Sequence, residues 1–195
     1  MGIGRSFPLG ATPLDGGVNF SVFARHATAV QLVLFDEVDD AKPIRVIDLD
    51  PCTQRTYHYW HVFVPGLRAG QLYGYRVDGP FAPEQGWRFD RQKVLLDPYG
   101  RCAARPAARS RRAAQLPGDN AASAWRSVVA DTGGYDWDGD TPPRHPFTRT
   151  VIYELHVGHF TRHPNAGVAD GRRGTFAGLM EKIPYLRALG VTAVE

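Results

Sequence analysis

The segment that most constrains the fold lies between residues 151 and 195. Val151-Ile-Tyr-Glu-Leu-His-Val157 has the composition of a β-strand, residues 175–189 have helical spacing, and Val191-Thr-Ala-Val194 begins a second strand. A strand–helix–strand unit of this size predicts two parallel strands joined by a crossover helix. Because one such unit cannot cover both faces of its strands, we expect the chain to be the front end of a larger fold.

The predicted helix has one apolar face. Its apolar residues recur at steps of three and four: Phe176, Leu179, Met180, Ile183, Leu186 and Leu189. Thr175 can cap the start of the helix and Gly190 can close its end. Pro184 falls inside the pattern, which predicts that the helix is kinked or split there.

Residues 10–80 show the two-residue period of β-strands instead. Four segments carry this period: 18–24, 30–35, 57–64 and 71–77. Turn-forming residues stand between them, among them Asp15-Gly16-Gly17 and Pro65-Gly66. Short strands at this spacing, separated by turn residues, predict an antiparallel β-sandwich.

Residues 79–150 show little periodic order and are rich in Gly, Pro, Asp and Arg. Lys93-Val-Leu-Leu96 is a candidate short strand, closed by Asp97-Pro98. The remainder is predicted to be an extended connection laid over a surface. We therefore expect a sandwich at residues 1–100, a junction at 101–150, and the strand–helix–strand unit at 151–195.

Several segments resemble a known family. TVIYELHVGHFT (150–161) and GTFAGLMEKIPYLRALGVTAVE (174–195) resemble the first strand, first helix and second strand of the catalytic barrel in isoamylase-type glycogen-debranching enzymes, in glycoside hydrolase family 13 of the α-amylase superfamily. SFPLGATPLDGGVNFSVFARHATAVQLVLFD (6–36) and YGYRVDGPFAPEQGWRFDRQKVLLDPY (73–99) resemble their N-terminal module, carbohydrate-binding module family 48. The resemblance implies an all-β immunoglobulin-like sandwich followed by the truncated start of a (β/α)8 TIM barrel.

The resemblance also implies hydrolysis of α-1,6 branch linkages in glycogen or its limit dextrins by a retaining mechanism, with no cofactor. That mechanism uses two carboxyl groups about 5–5.5 Å apart. In the family they lie on later barrel strands than the two present here, so we expect no catalytic residue in this chain, and Glu154 is predicted to have a structural role. The expected partners are an α-glucan and the missing remainder of the barrel. The alternative is a non-catalytic glucan-binding or docking module.

Sugar binding depends on flat aromatic faces that stack on a pyranose ring. The candidate residues are Tyr57, Tyr59, Trp60, Tyr73, Tyr75, Trp87, Tyr99 and Trp125. Most aromatic residues in a small sandwich belong to its core. We select Trp60, which has the opposite strand parity from Tyr57 and Tyr59, and Trp87, which lies in a loop rich in Gly and Pro.

Other classes of function receive little support. His156, His159 and His163 have a spacing that could bind zinc on a helix, but Gly158 and Pro164 predict that no helix runs through them, so we expect no metal site. The arginines between residues 101 and 112 lack interleaved aromatic residues, so no nucleic-acid partner is expected. No apolar run is long enough to span a membrane and no secretory signal is recognised, so the prediction is a cytoplasmic protein with reduced Cys52 and Cys102.

Overall fold

The computed structural model describes all 195 residues of the chain. They divide into two units, Met1–Tyr135 and Asp136–Glu195. The sequence placed boundaries at residues 100 and 150 instead, so the first unit includes most of the segment expected to be a junction.

The first unit is built from short antiparallel strands. They are β1 (Gly10–Leu14), β2 (Gly17–Phe23), β3 (Ala29–Phe35), β4 (Arg45–Asp48), β5 (Arg55–Thr56), β6 (Tyr59–Pro65), β7 (Leu72–Asp78), β8 (Phe81–Ala82), β9 (Trp87–Arg88), β10 (Cys102–Ala104) and β11 (Arg126–Val128). One sheet has the order β1-β2-β6-β5, and the other has the order β10-β11-β7-β3-β4. β8 and β9 form a separate hairpin.

The core lies between the two sheets. Because side chains alternate along a strand, every second residue of β2, β3, β6 and β7 points into it. The buried cluster includes Val18, Phe20, Val22, Val30, Leu32, Leu34, Trp60, Val62, Val64, Tyr73 and Tyr75. The predicted β-sandwich is confirmed, and its four longest central strands match the four segments with the two-residue period to within two residues.

The second sheet is covered on its outer face as well. Val33 and Phe35 of β3 pack there against Val94, Ala121 and Ala124. These covering residues come from the chain after residue 90, which also contributes β10, β11 and the helix α1 (Arg111–Gln115). The sandwich therefore continues past residue 100, since β11 pairs directly with β7 through Ser127↔Tyr73.

Polar side chains hold this covering segment together. The Asn120 amide accepts from Val94 N at 2.7 Å and donates to Val94 O at 3.3 Å. Lys93 Nζ donates to the carbonyls of Ala113, Leu116 and Gly118. The proposed strand at 93–96 does not form, because Leu95 makes only one isolated bridge, to Tyr75.

Arg126 is fully buried in the same layer. Its guanidinium lies 3.7 Å from the centre of the Phe35 ring and donates to the carbonyls of Ala124, Asp40 and Ala121. Burial lowers the pKa of Arg126, while Asp40, Asp39 and Asp119 oppose that shift. Hydrogen bonds to carbonyls thus offset the cost of burying a cation.

In the second unit, β12 (Ile152–Tyr153) pairs in parallel with β13 (Ala193–Val194). The helices between them are α2 (Val157–Phe160), α3 (Phe176–Glu181) and α4 (Ile183–Ala188). The predicted split near Pro184 is confirmed, and Pro184 lies in the first turn of α4, where its missing N–H costs nothing. Thr175 Oγ1 caps α3 by accepting from Gly178 N at 3.2 Å.

One expectation for this unit was wrong, because the first strand is shorter than residues 151–157. A one-turn helix, α2, includes Gly158, but it ends at Phe160 and does not run through His156 and His163. This agrees with the prediction that Gly158 and Pro164 prevent a helix across the three histidines.

The apolar face of α3 and α4 is largely exposed. Leu186 is buried at 4% exposure and Leu179 is half-buried, but Phe176 is 74% exposed and Met180, Ile183 and Leu189 are also exposed. None of the helices combines the length and apolar character needed to cross a membrane.

Candidate functional site

The β8–β9 hairpin presents Trp87 on the first unit. Ala82 pairs with Trp87, and the loop between them forms a 3₁₀ turn over Pro83–Gln85. Proline suits the start of this turn because its φ is fixed, and Gly86 ends it in the left-handed region at φ 84°. The sequence APEQGW therefore encodes a short hairpin with an aromatic residue directly after its turn.

Trp87 is held against His26. The two ring centres are 4.3 Å apart with an angle of 42° between their planes. At the base of the hairpin, a Cβ on Gly79 would lie 2.8 Å from Phe89 Cγ and 2.9 Å from His26 O. This close packing fixes the hairpin beside the loop that carries His26.

Trp87 and His26 line a groove of about 640 Å³. Its wall is mostly apolar and includes Phe23, Tyr75, Val77 and Leu96. Gln85, Arg88 and Asp90 add polar groups to the lining. An apolar floor with a few polar groups around it is the usual construction of a small-molecule site.

Tyr75 adds a polar group beneath the groove. Its side chain is 2% exposed, and its hydroxyl has no hydrogen-bond partner in the protein. Burial raises the pKa of Tyr75 well above 10, and the charge of Asp97 adds to the shift, so the hydroxyl keeps its proton. An unpaired buried hydroxyl is costly, and a ligand or water that enters the groove could remove that cost by accepting from it.

Asp97 forms a buried polar cluster next to Tyr75. It accepts from Tyr73 Oη at 2.8 Å and from Tyr99 N at 2.8 Å, while its own N–H donates to Ser127 Oγ at 2.9 Å. Burial raises the pKa of Asp97, against the opposing effect of the Tyr99 and Tyr73 hydrogen bonds. Because the carboxyl group is enclosed and its oxygens are occupied, its role is to join β7 to the segment after residue 95.

Trp60, one of the two residues selected from the sequence, lies in the core. It is 0% exposed, its indole N–H donates to Ala24 O at 3.4 Å, and the Arg55 guanidinium covers it at 4.9 Å from the ring centre. Alternation predicted correctly that Trp60 and Tyr59 lie on opposite faces of β6. It did not reveal that the Trp60 face is the one against the second sheet, so Trp60 offers no surface to a sugar.

The structure adds an aromatic group that the sequence did not single out. Phe23 lies beside His58 and Tyr59, with ring centres 5.9 and 5.4 Å away, and His58 contacts Tyr57 at 3.7 Å. Tyr57 is one of the aromatic candidates that the sequence offers, and in the structure this residue is 78% exposed. We call these four residues, Phe23, Tyr57, His58 and Tyr59, the turn platform.

The histidines of the second unit do not form a metal centre. His156 stacks on His159 with ring centres 4.2 Å apart, and His163 Nδ1 accepts from Asn165 N at 3.2 Å. Across the chain, His, Cys, Asp and Glu do not gather in groups of three suited to a metal ion. Cys52 and Cys102 are both exposed and free.

Comparisons with known proteins find one matching family model and several relatives of this chain. The family model described as Carbohydrate-binding module 48 (Isoamylase N-terminal domain) matches residues 8–100. "Isoamylase 1, chloroplastic" of Oryza sativa subsp. japonica is 40% identical over 198 residues, covering 98% of this chain and 24% of the relative. "Glycogen debranching enzyme" of Serratia proteamaculans (strain 568) is 42% identical over 203 residues, covering 98% of this chain and 29% of the relative.

A solved structure shares the fold. The apo pullulanase of Paenibacillus barengoltzii superposes with a TM-score of 0.67 at 25% identity, covering 98% of this chain and 27% of that one. The chain thus spans between 24% and 29% of the length of these relatives. The 195-residue chain is similar over 98% of its length to an isoamylase and a glycogen-debranching enzyme, and its residues 8–100 match the family model of carbohydrate-binding module 48, the isoamylase N-terminal domain.

Proposed function

We propose that this chain is the N-terminal portion of a glycogen-debranching enzyme that hydrolyses α-1,6 branch linkages by a retaining mechanism. The observation that carries the proposal is 40–42% identity to an isoamylase and to a glycogen-debranching enzyme over 98% of the chain. In this proposal residues 1–100 are the module, 101–150 the junction, whose β10 and β11 add to the second sheet of the sandwich, and 151–195 the start of a (β/α)8 barrel. The parallel pairing of β12 with β13, with helices between them, supports the barrel assignment.

The catalytic carboxyl groups lie outside residues 1–195 in this proposal. The chain alone is therefore expected to release no reducing sugar from glycogen or pullulan. The test is a reducing-sugar assay on chain purified to constant specific activity. Release that copurifies with the chain would contradict the proposal.

The module contributes glucan binding through the groove at Trp87. Trp87 and His26 supply aromatic faces for the apolar side of a pyranose ring, while Gln85, Arg88 and Asp90 can hydrogen-bond its hydroxyls. The polar lining groups are exposed or half-buried, which favours weak binding of a long polymer over tight capture of one sugar.

Affinity electrophoresis in gels containing glycogen tests this binding. Wild-type chain is expected to be retarded slightly, and Trp87→Ala is expected to abolish the retardation. Phe81→Ala is the matched control, because Phe81 is an exposed aromatic residue on the same hairpin that does not line the groove. Equal retardation of wild type and Trp87→Ala would contradict the groove assignment.

A non-catalytic glucan-binding protein is the alternative, favoured by one observation: the groove is built entirely from the first unit. Sequencing the DNA after codon 195 distinguishes the enzyme from the non-catalytic binding protein. An open frame that encodes further barrel strands supports the enzyme, and a stop codon supports the binding protein. We also propose a cytoplasmic location, which cell fractionation tests.

A further inference from the structure

The turn between β5 and β6 has an unusual residue at its tightest position. Thr56 pairs with Tyr59, so Tyr57 and His58 form a two-residue hairpin loop. Tyr57 has φ 59°, while His58 does not lie at positive φ. Positive φ at only the first loop position is the pattern of a type II′ turn, where glycine is the preferred residue. Tyrosine at this position is strained, and such strain is concentrated at functional sites.

The strained turn is held rigidly. Arg55 Nε donates to Tyr57 O at 2.9 Å, and the same guanidinium lies over the buried Trp60 ring. Thr56 Oγ1 is 2.9 Å from His61 Nε2, which ties the neighbouring residue to β6. The Tyr57 ring therefore projects from a fixed support, and little conformational entropy remains to be lost when a ligand binds it.

The turn platform continues the groove. Phe23 contributes to both, since it lines the groove and also contacts His58 and Tyr59. His26 stacks on Trp87. Burial lowers the pKa of His58, and the nearby Arg25, Arg55 and His26 add to that shift. An aromatic surface thus runs from Trp87 across His26 and Phe23 to the exposed ring of Tyr57.

We propose that the turn platform is a second glucan-contact surface, on which Tyr57 stacks against a glucose residue of the same α-1,4-linked chain that occupies the Trp87 groove. This inference rests on the proposed glucan binding of the module. Arg25 and Arg55 lie beside the platform and can donate to sugar hydroxyls. The ligand is a run of several glucose residues, because the rings of His26, Phe23 and His58 lie between Trp87 and Tyr57.

The experiment measures the affinity of the full 195-residue chain for maltotriose and maltoheptaose by titration calorimetry. Wild type is expected to bind maltoheptaose more tightly, because only the longer chain reaches both surfaces. Tyr57→Gly removes the ring at a position that glycine prefers. It is expected to weaken maltoheptaose binding by roughly three- to tenfold, leave maltotriose binding unchanged, and raise the thermal midpoint. Tyr57→Phe keeps the ring and is expected to retain wild-type affinity for maltoheptaose.

A simultaneous loss of affinity and gain of stability in Tyr57→Gly supports the inference, since damage to the fold would lower both. Wild-type maltoheptaose affinity in Tyr57→Gly, together with a loss in Trp87→Ala, overturns the platform while leaving the groove intact. Absence of maltoheptaose binding by the wild type overturns both the groove and the platform. Equal binding of cellohexaose overturns the assignment to α-linked glucose.

Discussion

The two units of the chain differ in how far they bury their apolar side chains. In the first unit, β3 is covered on both faces, by the facing sheet on one side and by the segment after residue 90 on the other. In the second unit, Leu186 is the one fully buried residue of the six-residue apolar stripe, and Phe176 is mostly exposed. Both units carry regular apolar patterns, so the pattern alone does not produce a closed core. A second covering layer is what makes the difference.

The first unit also holds buried polar side chains in hydrogen-bonded positions. Asn120 joins two parts of the covering layer through Val94, Asp97 accepts from Tyr73 of β7, and Arg126 of β11 donates to the carbonyls of Ala124 and Asp40. Such bonds are modest in net contribution but costly to break once their partners are buried. The comparison therefore predicts that substitutions of buried residues in the first unit lower the free energy of unfolding strongly. Substitutions on the exposed face of the second unit should lower it only slightly.

The largest effect is expected for Trp60→Ala. Removal of a fully buried indole leaves a cavity in the core, and the loss of unfolding free energy should be about 3–5 kcal/mol. Chemical denaturation measures it. Tyr57→Gly, three residues earlier, is the control, and it should not lower the free energy of unfolding. If Trp60→Ala were nearly neutral, the core position of Trp60 would be contradicted.

Arg126→Met should lose about 2–3 kcal/mol of unfolding free energy. Methionine keeps much of the length and apolar contact of the side chain, but leaves the carbonyls of Ala124, Asp40 and Ala121 without this donor. Arg91→Met, at an exposed arginine, should change stability by less than about 0.5 kcal/mol. Equal effects of the two substitutions would show that the covering layer is not held through Arg126.

Asp97→Asn should alter the pH dependence of stability. Burial raises the pKa of Asp97 in the folded chain above the usual 3.8, so between those two values the folded state holds a proton that the unfolded state has released. The stability contributed by Asp97 therefore falls as the pH rises through that window. The unfolding free energy of Asp97→Asn, compared with that of wild type at the same pH, should therefore be higher at neutral pH than below pH 3.8. Denaturation at both pH values measures this, and a difference that is constant or reversed in sign would contradict it.

The smallest effect is expected at Phe176. Phe176→Lys should change the unfolding free energy by less than about 0.5 kcal/mol, because the ring is already in water. Leu186→Lys is the matched contrast on the next helix, since Leu186 is buried, and it should unfold the second unit. Circular dichroism during thermal unfolding compares them. A large loss for Phe176→Lys would mean that its face is covered in solution.

The sequence predicted what depends on local periodicity. Val18, Phe20 and Val22 identified β2 and its inward face, and Pro184 identified the break between α3 and α4. The sequence did not predict β4, where Ile47 is the one buried side chain, or β10 and β11, which are three residues each. Elements this short carry too few residues to show a period.

The candidate site was predicted only in part. The sequence APEQGW indicated a loop with an available tryptophan, and Trp87 does line a groove. For Trp60, alternation fixed the parity of the side chain but not which parity faced the other sheet. The sequence predicts a strand over residues 57–64 and does not indicate the turn at Tyr57, because this turn lacks the Gly, Asn or Asp that normally identifies a hairpin turn.

The measurement that tests the account most directly is hydrogen exchange on the whole chain, with and without maltoheptaose. Without ligand, amides of residues 18–22 should exchange far more slowly than those of residues 151–155 and 179–189, because only the first unit has a closed core. With maltoheptaose, exchange should slow further in residues 55–59 and 81–89, which carry the turn platform and the groove. Equal protection of the two units, or no change in those segments with ligand, would contradict a closed glucan-binding sandwich followed by an open second unit.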